Sequence, residues 1–196
     1  MLQNAAVPLD PTRLASSHAV EHLASLLRNV PDFPTPGIQF KDITPLLADA
    51  RAFHIVLDLL AEPFIGADIR YTVAMEARGF IFGGALAARI NAGFVPVRKP
   101  GKLPAEVDEI AYTLEYGDNR LQMHKGSIVP GSRVMVVDDL LATGGTAAAT
   151  ASLVQKQGGV VAGFAFVVEL DALAGREKLL EVTTRDTLVH SLIHIG

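Results

Sequence analysis

Residues Val136 to Ala147 read Val-Val-Asp-Asp-Leu-Leu-Ala-Thr-Gly-Gly-Thr-Ala. An apolar strand ends in two adjacent carboxylates, a turn of small residues follows, and a helix begins. Gly144 and Gly145 let backbone N–H groups approach an anion without obstruction. Thr143 and Thr146 add hydroxyl donors. The helix amino terminus adds unpaired N–H groups and a favourable dipole. The loop is therefore expected to cradle a phosphate. Asp138 and Asp139 beside that anion are costly unless they serve another partner, and a ribose diol supplies hydroxyls for carboxylates to accept. The order of parts reads as a ribose-5-phosphate cradle. The alternative is a strand–turn–helix junction whose glycines serve packing alone. The loop lacks the lysine of a Walker sequence and is not a G-x-G-x-x-G turn.

Three other segments could carry chemistry. Phe33-Pro-Thr-Pro-Gly-Ile-Gln-Phe-Lys-Asp-Ile-Thr-Pro45 is a proline-stiffened loop with an aromatic face at Phe40. Backbone groups on such a loop can read the hydrogen-bonding edge of a planar base. Equally, it could be a connector with Phe40 in the core. Met75-Glu-Ala-Arg-Gly-Phe-Ile-Phe-Gly83 joins a strand to a helix, where Arg78 could hold an anion or form a surface ion pair. Arg98, Lys99 and Lys102 cluster in a Pro- and Gly-containing loop. The histidines carry little: His18 and His22 share a helix face, but His-Ala-Val-Glu-His is not H-E-x-x-H.

The positioning elements follow from periodicity. His18 to Arg28 is expected to be an amphipathic helix bearing Val20, Leu23, Leu26 and Leu27. Val30 to Gly37 breaks regular structure, with three prolines and a glycine within seven residues. Thr44 and Pro45 read as N-cap and N1 of a helix, and a further helix runs from about Ala50 to Leu60. Tyr71 to Met75, then a helix over Phe80 to Ile90, then Phe94 to Val97 form one strand–helix–strand unit. Val134 to Val137, a helix over Thr146 to Gln157, and Val160 to Val168 form a second. Two such units predict an α/β fold with a mostly parallel twisted sheet and helices on both faces. Ala111 to Tyr116 and Arg120 to His124 read as a hairpin about Gly117-Asp-Asn. Leu188 to Ile195 reads as a final short strand.

Composition narrows the classes. The chain has 196 residues, enough for one domain with a sizeable core. Hydrophobic residues make up 49%, which excludes a disordered chain. The longest nearly apolar run, Val160 to Val168, is too short to span a bilayer, which takes about 20 helical residues. No cysteine is present, so disulfides and thiolate chemistry are excluded. With no secretory signal visible, the expected compartment is the cytoplasm. A net charge of −4 argues against a nucleic-acid partner.

Val-Val-Asp-Asp-Leu-Leu-Ala-Thr-Gly-Gly-Thr resembles the signature of type I phosphoribosyltransferases, and its Leu-Leu-Ala wording looks like the adenine-specific branch. The resemblance covers about Val30 to Arg176. It implies a type I core over 1–196, with an amino-terminal helix and small hood over about 1–45 and a flexible loop and hairpin over about 98–125. It implies that phosphoribosyl pyrophosphate contacts Asp138, Asp139, Ala142, Thr143, Gly144, Gly145 and Thr146. It implies that Arg78, from the Met75–Gly83 segment where relatives often carry a cis peptide, joins Arg98, Lys99 and Lys102 on the pyrophosphate. Gln39, Phe40 and Lys41 would contact adenine. Glu115, within Leu-Glu-Tyr-Gly, would handle the proton at purine N7, and Tyr116 would accompany loop closure. Glu115 would need burial to raise its pKa toward neutrality. The resemblance further implies purine salvage yielding AMP, Mg²⁺ held mainly through the substrate rather than a protein cage, and a homodimer in which a basic loop residue can reach the neighbouring site. Two other readings stand beside it: a relative using another base, and a ligand-sensing regulator on the same fold.

Overall fold

In the computed structural model, backbone is described for residues 11–113 and 118–196, and side chains for 17–112 and 119–196. The chain divides into two compact units, Met1–Val56 and Leu57–Gly196.

The first unit contains α1 (Pro11–Ser25), β1 (Arg28–Pro31), β2 (Gln39–Asp42), α2 (Thr44–Ala48) and the start of α3 (Ala50–Ala61). α1 stops three residues before the expected Arg28, because Arg28 opens a strand instead. β1 and β2 pair antiparallel, Arg28 opposite Asp42 and Pro31 opposite Gln39, so the proline-rich stretch is the loop of a hairpin. Phe33–Pro34 is cis, and the Phe33 ring meets Phe40 edge-on with centroids 5.1 Å apart.

Thr44 is not the N-cap of α2. That position belongs to Ile43, which offers no side-chain oxygen. Asp42 does the capping instead. Its Oδ1 accepts from the Thr44 N–H at 2.8 Å and the Thr44 hydroxyl at 2.5 Å, while Oδ2 accepts from Arg28 Nε at 2.9 Å. A carboxylate near a helix start also meets the favourable end of the dipole. These bonds, those from Thr44 first and then Arg28, lower the Asp42 pKa from 3.8 to about 2.

The second unit is built on a five-stranded sheet in the order β4-β3-β7-β8-β9. Its strands are β3 (Ile69–Met75), β4 (Gly93–Val97), β7 (Arg133–Leu141), β8 (Val160–Leu170) and β9 (Leu188–Ile195), and all four pairings are parallel. Central strands of such a sheet are covered on both faces and read as continuous apolar runs. Val134 to Val137 and Phe164 to Val168 are all fully buried. The Phe164 and Phe166 rings stack at 6.3 Å within this core.

α4 (Gly79–Arg89) carries the chain from β3 to β4, toward one edge. α5 (Gly145–Lys156) and α6 (Gly175–Val182) carry it from β7 through β8 to β9, toward the other. Right-handed crossovers running in opposite directions put α4 on one face and α5 with α6 on the other. The strand order therefore reverses between β3 and β7. β5 (Val107–Thr113) and β6 (Asp118–His124) form a separate antiparallel pair. β5 begins four residues before the expected Ala111, because its pairing with β6 extends to Val107 opposite His124. The alternation of β5 packs Ile110 and Tyr112 on the core.

The Asp42 cap has a pH signature. A carboxylate whose pKa is lower in the folded state stabilises above its unfolded value and loses that contribution as pH falls through the folded one. Asp42→Asn is expected to lower the melting temperature at pH 7, with the gap to wild type shrinking below pH 4. A gap constant between pH 7 and pH 3 in thermal melts would exclude a charge-based role.

Candidate active site

Ligands of open parallel sheets bind outside the carboxyl ends of strands, at the point where strand order reverses. Here that point lies between β3 and β7. A cleft of about 490 Å³ sits there, bordered by Glu76, Ala77 and Arg78 after β3 and by Asp138, Asp139 and Leu140 on β7. Lys99, Tyr112, Asn119, Leu121 and Thr146 complete its wall. A smaller hollow of about 80 Å³ adjoins it, formed by Asp138 and the turn from Leu140 to Ala147.

The small hollow is the predicted phosphate loop. Gly144, at φ +78°, is the N-cap of α5 and supplies no side-chain cap. The first bond along the helix is Ala148 N–H to Gly144 C=O at 2.9 Å. The N–H groups of Gly145, Thr146 and Ala147 precede it and have no acceptor within the helix. With the dipole behind them, they form an anion seat. The Thr146 hydroxyl lies 3.2 Å from the Tyr112 hydroxyl, which ties this seat to the β5–β6 pair.

The acid pair is electrostatically tense. Asp138 Oδ1 accepts the Asp139 N–H at 2.9 Å. Desolvation first, then the neighbouring Asp139 carboxylate, push the Asp138 pKa well above the ordinary range. Asp138 has room only because residue 79 is glycine: a β-carbon there would stand 2.7 Å from Asp138 Oδ1. Arg78 Nε meets Asp139 Oδ2 at 2.6 Å, joining the loop after β3 to the acid on β7. Arg78 keeps 41% of its side chain exposed, so it can also face an anion in the cleft.

The peptide between Glu76 and Ala77 is cis. Glu76 then reaches across to the basic loop. Its carboxylate accepts from Arg98 Nε at 2.7 Å and from the Lys99 N–H at 3.0 Å. Burial raises its pKa, but the bonds from Lys99 and Arg98 outweigh that and the pKa falls. Arg98 also donates to the Lys102 carbonyl at 3.0 Å, and its backbone bridges Gln122 of β6.

The structure thus brings Arg78, Lys99, Asp138, Asp139, Ala142, Thr143, Gly144, Gly145 and Thr146 to the cleft and the adjoining hollow. It turns Arg98 toward Glu76, and Lys102 stands outside the residues that border the cleft. Gln39, Phe40 and Lys41 lie on β2 in the first unit, where Lys41 Nζ donates to Asn29 at 2.7 Å. Glu115 and Tyr116 lie outside the described residues. Glu76, Tyr112, Asn119 and Leu121 border the cleft although their sequence context does not single them out as site residues. For Tyr112 the signal is the alternation of its strand, which puts it on the inward face with Ile110. Asn119 then follows as its cross-strand partner.

A family model described as "Phosphoribosyl transferase domain" matches residues 52–193. An adenine phosphoribosyltransferase of Sorangium cellulosum is 66% identical over 183 residues, 93% of this chain and 92% of the relative. The crystal structure of adenine phosphoribosyltransferase from Rhodothermus marinus superposes with a TM-score of 0.86 at 47% identity, over 91% of this chain and 99% of that one. The enzyme from Saccharomyces cerevisiae, complexed with an imino-altritol bisphosphate and adenine, gives a TM-score of 0.82 at 39% identity, over 90% and 99% of the two chains.

The acid pair predicts opposite effects on stability and binding. A carboxyl whose folded pKa is raised favours folding at acid pH and costs stability as pH rises through that pKa. Asp138→Asn removes the cost, so the variant is expected to melt above wild type at pH 7.5, with the gap closing toward pH 4. Replacing the carboxyl at the acid pair by an amide is expected to weaken binding of a phosphorylated ribose, read with ribose 5-phosphate, by about 10- to 100-fold. A variant that melts lower at pH 7.5 would contradict the assigned strain.

Proposed function

The chain belongs to the phosphoribosyltransferase family, among its adenine phosphoribosyltransferases, and on that premise we propose that it transfers the 5-phosphoribosyl group of phosphoribosyl pyrophosphate to adenine, giving AMP and pyrophosphate in purine salvage. The observation that carries this reading is the adjacency of an anion seat and two carboxylates at the β3–β7 switch point. The 5-phosphate suits the N–H groups of Gly145, Thr146 and Ala147 with the hydroxyls of Thr143 and Thr146. The ribose diol suits Asp138 and Asp139, whose crowding it relieves by donating to both. Arg78 and Lys99 face the side where pyrophosphate leaves, and preorganised cations there stabilise the departing charge. We read Arg98 and Lys102 as the rest of that pyrophosphate-handling loop.

The described residues around the cleft offer carboxylate and hydroxyl oxygens without histidine, a donor set that fits a hard dication such as Mg²⁺. Asp138 and Asp139 would stand beside such an ion, held mainly through oxygens of phosphoribosyl pyrophosphate, and it would supply charge neutralisation for the pyrophosphate. The C1–oxygen bond to pyrophosphate breaks with its electron pair leaving on oxygen, and adenine N9 forms the new bond to C1. Gln39, Phe40 and Lys41 are read as base contacts, Glu115 as the group that accepts the N7 proton as N9 bonds to C1, and Tyr116 as a partner in loop closure. Residues 1–196 are read together as one transferase domain.

We also read the enzyme as a cytoplasmic homodimer. No described helix is long and apolar enough to cross a membrane. Edge strand β4 and helix α4 expose Phe94 and Ile81 by 37% and 41%, with Phe80 packed edge-on to Phe94. A second copy would cover this apolar surface, and sedimentation at micromolar concentration giving only monomer would overturn it.

The deciding assay mixes protein, phosphoribosyl pyrophosphate, Mg²⁺ and each base in turn. AMP from adenine alone is expected. Turnover of another base instead would overturn the adenine assignment, and donor binding without turnover would make the protein a regulator. In the same assay Glu115→Ala is expected to lower kcat by about 100-fold or more with little change in donor affinity. Unchanged kcat would remove Glu115 from the mechanism.

A further inference from the structure

The phosphate loop rests on a second segment that touches no part of the cleft. A β-carbon on Gly144 would overlap the Gly175 carbonyl oxygen and stand 3.1 Å from Lys178 Cβ. Conversely, a β-carbon on Gly175 would overlap the Ala142 carbonyl oxygen and stand 3.0 Å from Leu141 Cδ1. The two backbones cross with only glycine hydrogens between them. Gly175 is the buried first residue of α6 and follows Ala174 at φ +49°.

That end of α6 is tied to the sheet. Arg176 meets Glu169 of β8 through two bonds, Nε to Oε1 at 3.2 Å and Nη2 to Oε2 at 2.6 Å. Its Nη1 donates to the Val189 carbonyl of β9 at 2.5 Å. Glu169 is 5% exposed, and this planar, two-pronged partner bonds both of its carboxylate oxygens. Leu179, one turn further, is fully buried in the core.

We propose that Gly175, held by the Arg176–Glu169 pair, is a positioning residue that braces the back of the phosphate loop and so sets donor affinity. The loop's anion seat depends on N–H directions that a shift of a fraction of an ångström would spoil. The Ala142 carbonyl has Gly175 directly behind it, so the loop cannot relax away from the ligand. This proposal rests on the transferase reading for its kinetic test and on the loop geometry for its binding test.

Gly175→Ala is made in the full chain, with Lys178→Ala, which keeps the β-carbon beside Gly144, as the control. The KM for phosphoribosyl pyrophosphate is expected to rise at least tenfold in Gly175→Ala. Its kcat should stay within threefold and its KM for adenine within twofold, while Lys178→Ala matches wild type. A fall in kcat with both KM values unchanged would signal lost protein rather than a moved loop, and would overturn the brace, as would an equal rise in both. Should Gly175→Ala fail to fold, Arg176→Lys keeps the charge but loses the two-pronged bond. It is expected to raise the donor KM at least threefold, and no rise would overturn the proposal. Calorimetric titration with ribose 5-phosphate separates the two readings. Weaker binding by Gly175→Ala supports the brace even if wild type turns over no base, an outcome that would sink only the transferase reading. Equal binding by both proteins, or none by either, overturns the brace.

Discussion

Arg78 and Asp139 meet at 2.6 Å across the gap between the carboxyl ends of β3 and β7. Two acids side by side would repel each other and any incoming phosphate, and the Arg78 guanidinium against Asp139 moderates both effects. Asp139 is buried while Arg78 is partly exposed, so desolvation of the carboxylate offsets much of the Coulombic gain and this contact does little for folding. Its importance is electrostatic: it holds a cation at the cleft beside the two carboxylates, where the proposed transfer would develop pyrophosphate charge. The sheet makes this possible by sending α4 and α5 away in opposite directions, which opens the crevice between the two strands.

Around that centre the molecule supports its polar groups from behind. Glu76 grips the start of the basic loop through Arg98 and the Lys99 N–H, so that Lys99 borders the cleft while Arg98 serves as its anchor. Tyr112 reaches Thr146 from the β5–β6 pair. α6 presses Gly175 against the loop through a tie to β8 and β9. Each support joins the anion seat or its cations to an element distant in sequence, and each replaces side-chain entropy with fixed geometry before a ligand arrives.

Asp138 shows the tension this arrangement creates. Its carboxyl sits over a glycine that leaves it space and beside a like charge, and burial makes ionisation costly. Clusters of this kind lower stability and recur where function requires them. Asp42 is the contrasting case in the first unit: a carboxylate bonded by Thr44 and Arg28, with its pKa drawn down.

The phosphate loop is legible in the primary structure because it is contiguous: strand, acids, glycines and helix start follow one another, and backbone conformation there is a local matter. The parallel strands are legible for a related reason, since doubly covered strands must be apolar throughout, as Val134 to Val137 are. The end of α1, the start of β5 and the cap of α2 differ from what local preference predicts, because pairing of Arg28 with Asp42 and of Val107 with His124 overrides it. Glu76 looks ordinary in the sequence, and Gly175 carries no signal at all. Their partners stand 22 and about 31 to 33 residues away, at Arg98 and at Ala142 to Gly144. Sequence alone determined that two acids, a turn of small residues and a helix start adjoin at one strand end, the groups we propose for a phosphorylated ribose. Tertiary packing decided which cation faces the cleft, which is spent as an anchor, and what stands behind the loop, because those contacts exist only once the sheet has brought distant segments within van der Waals range.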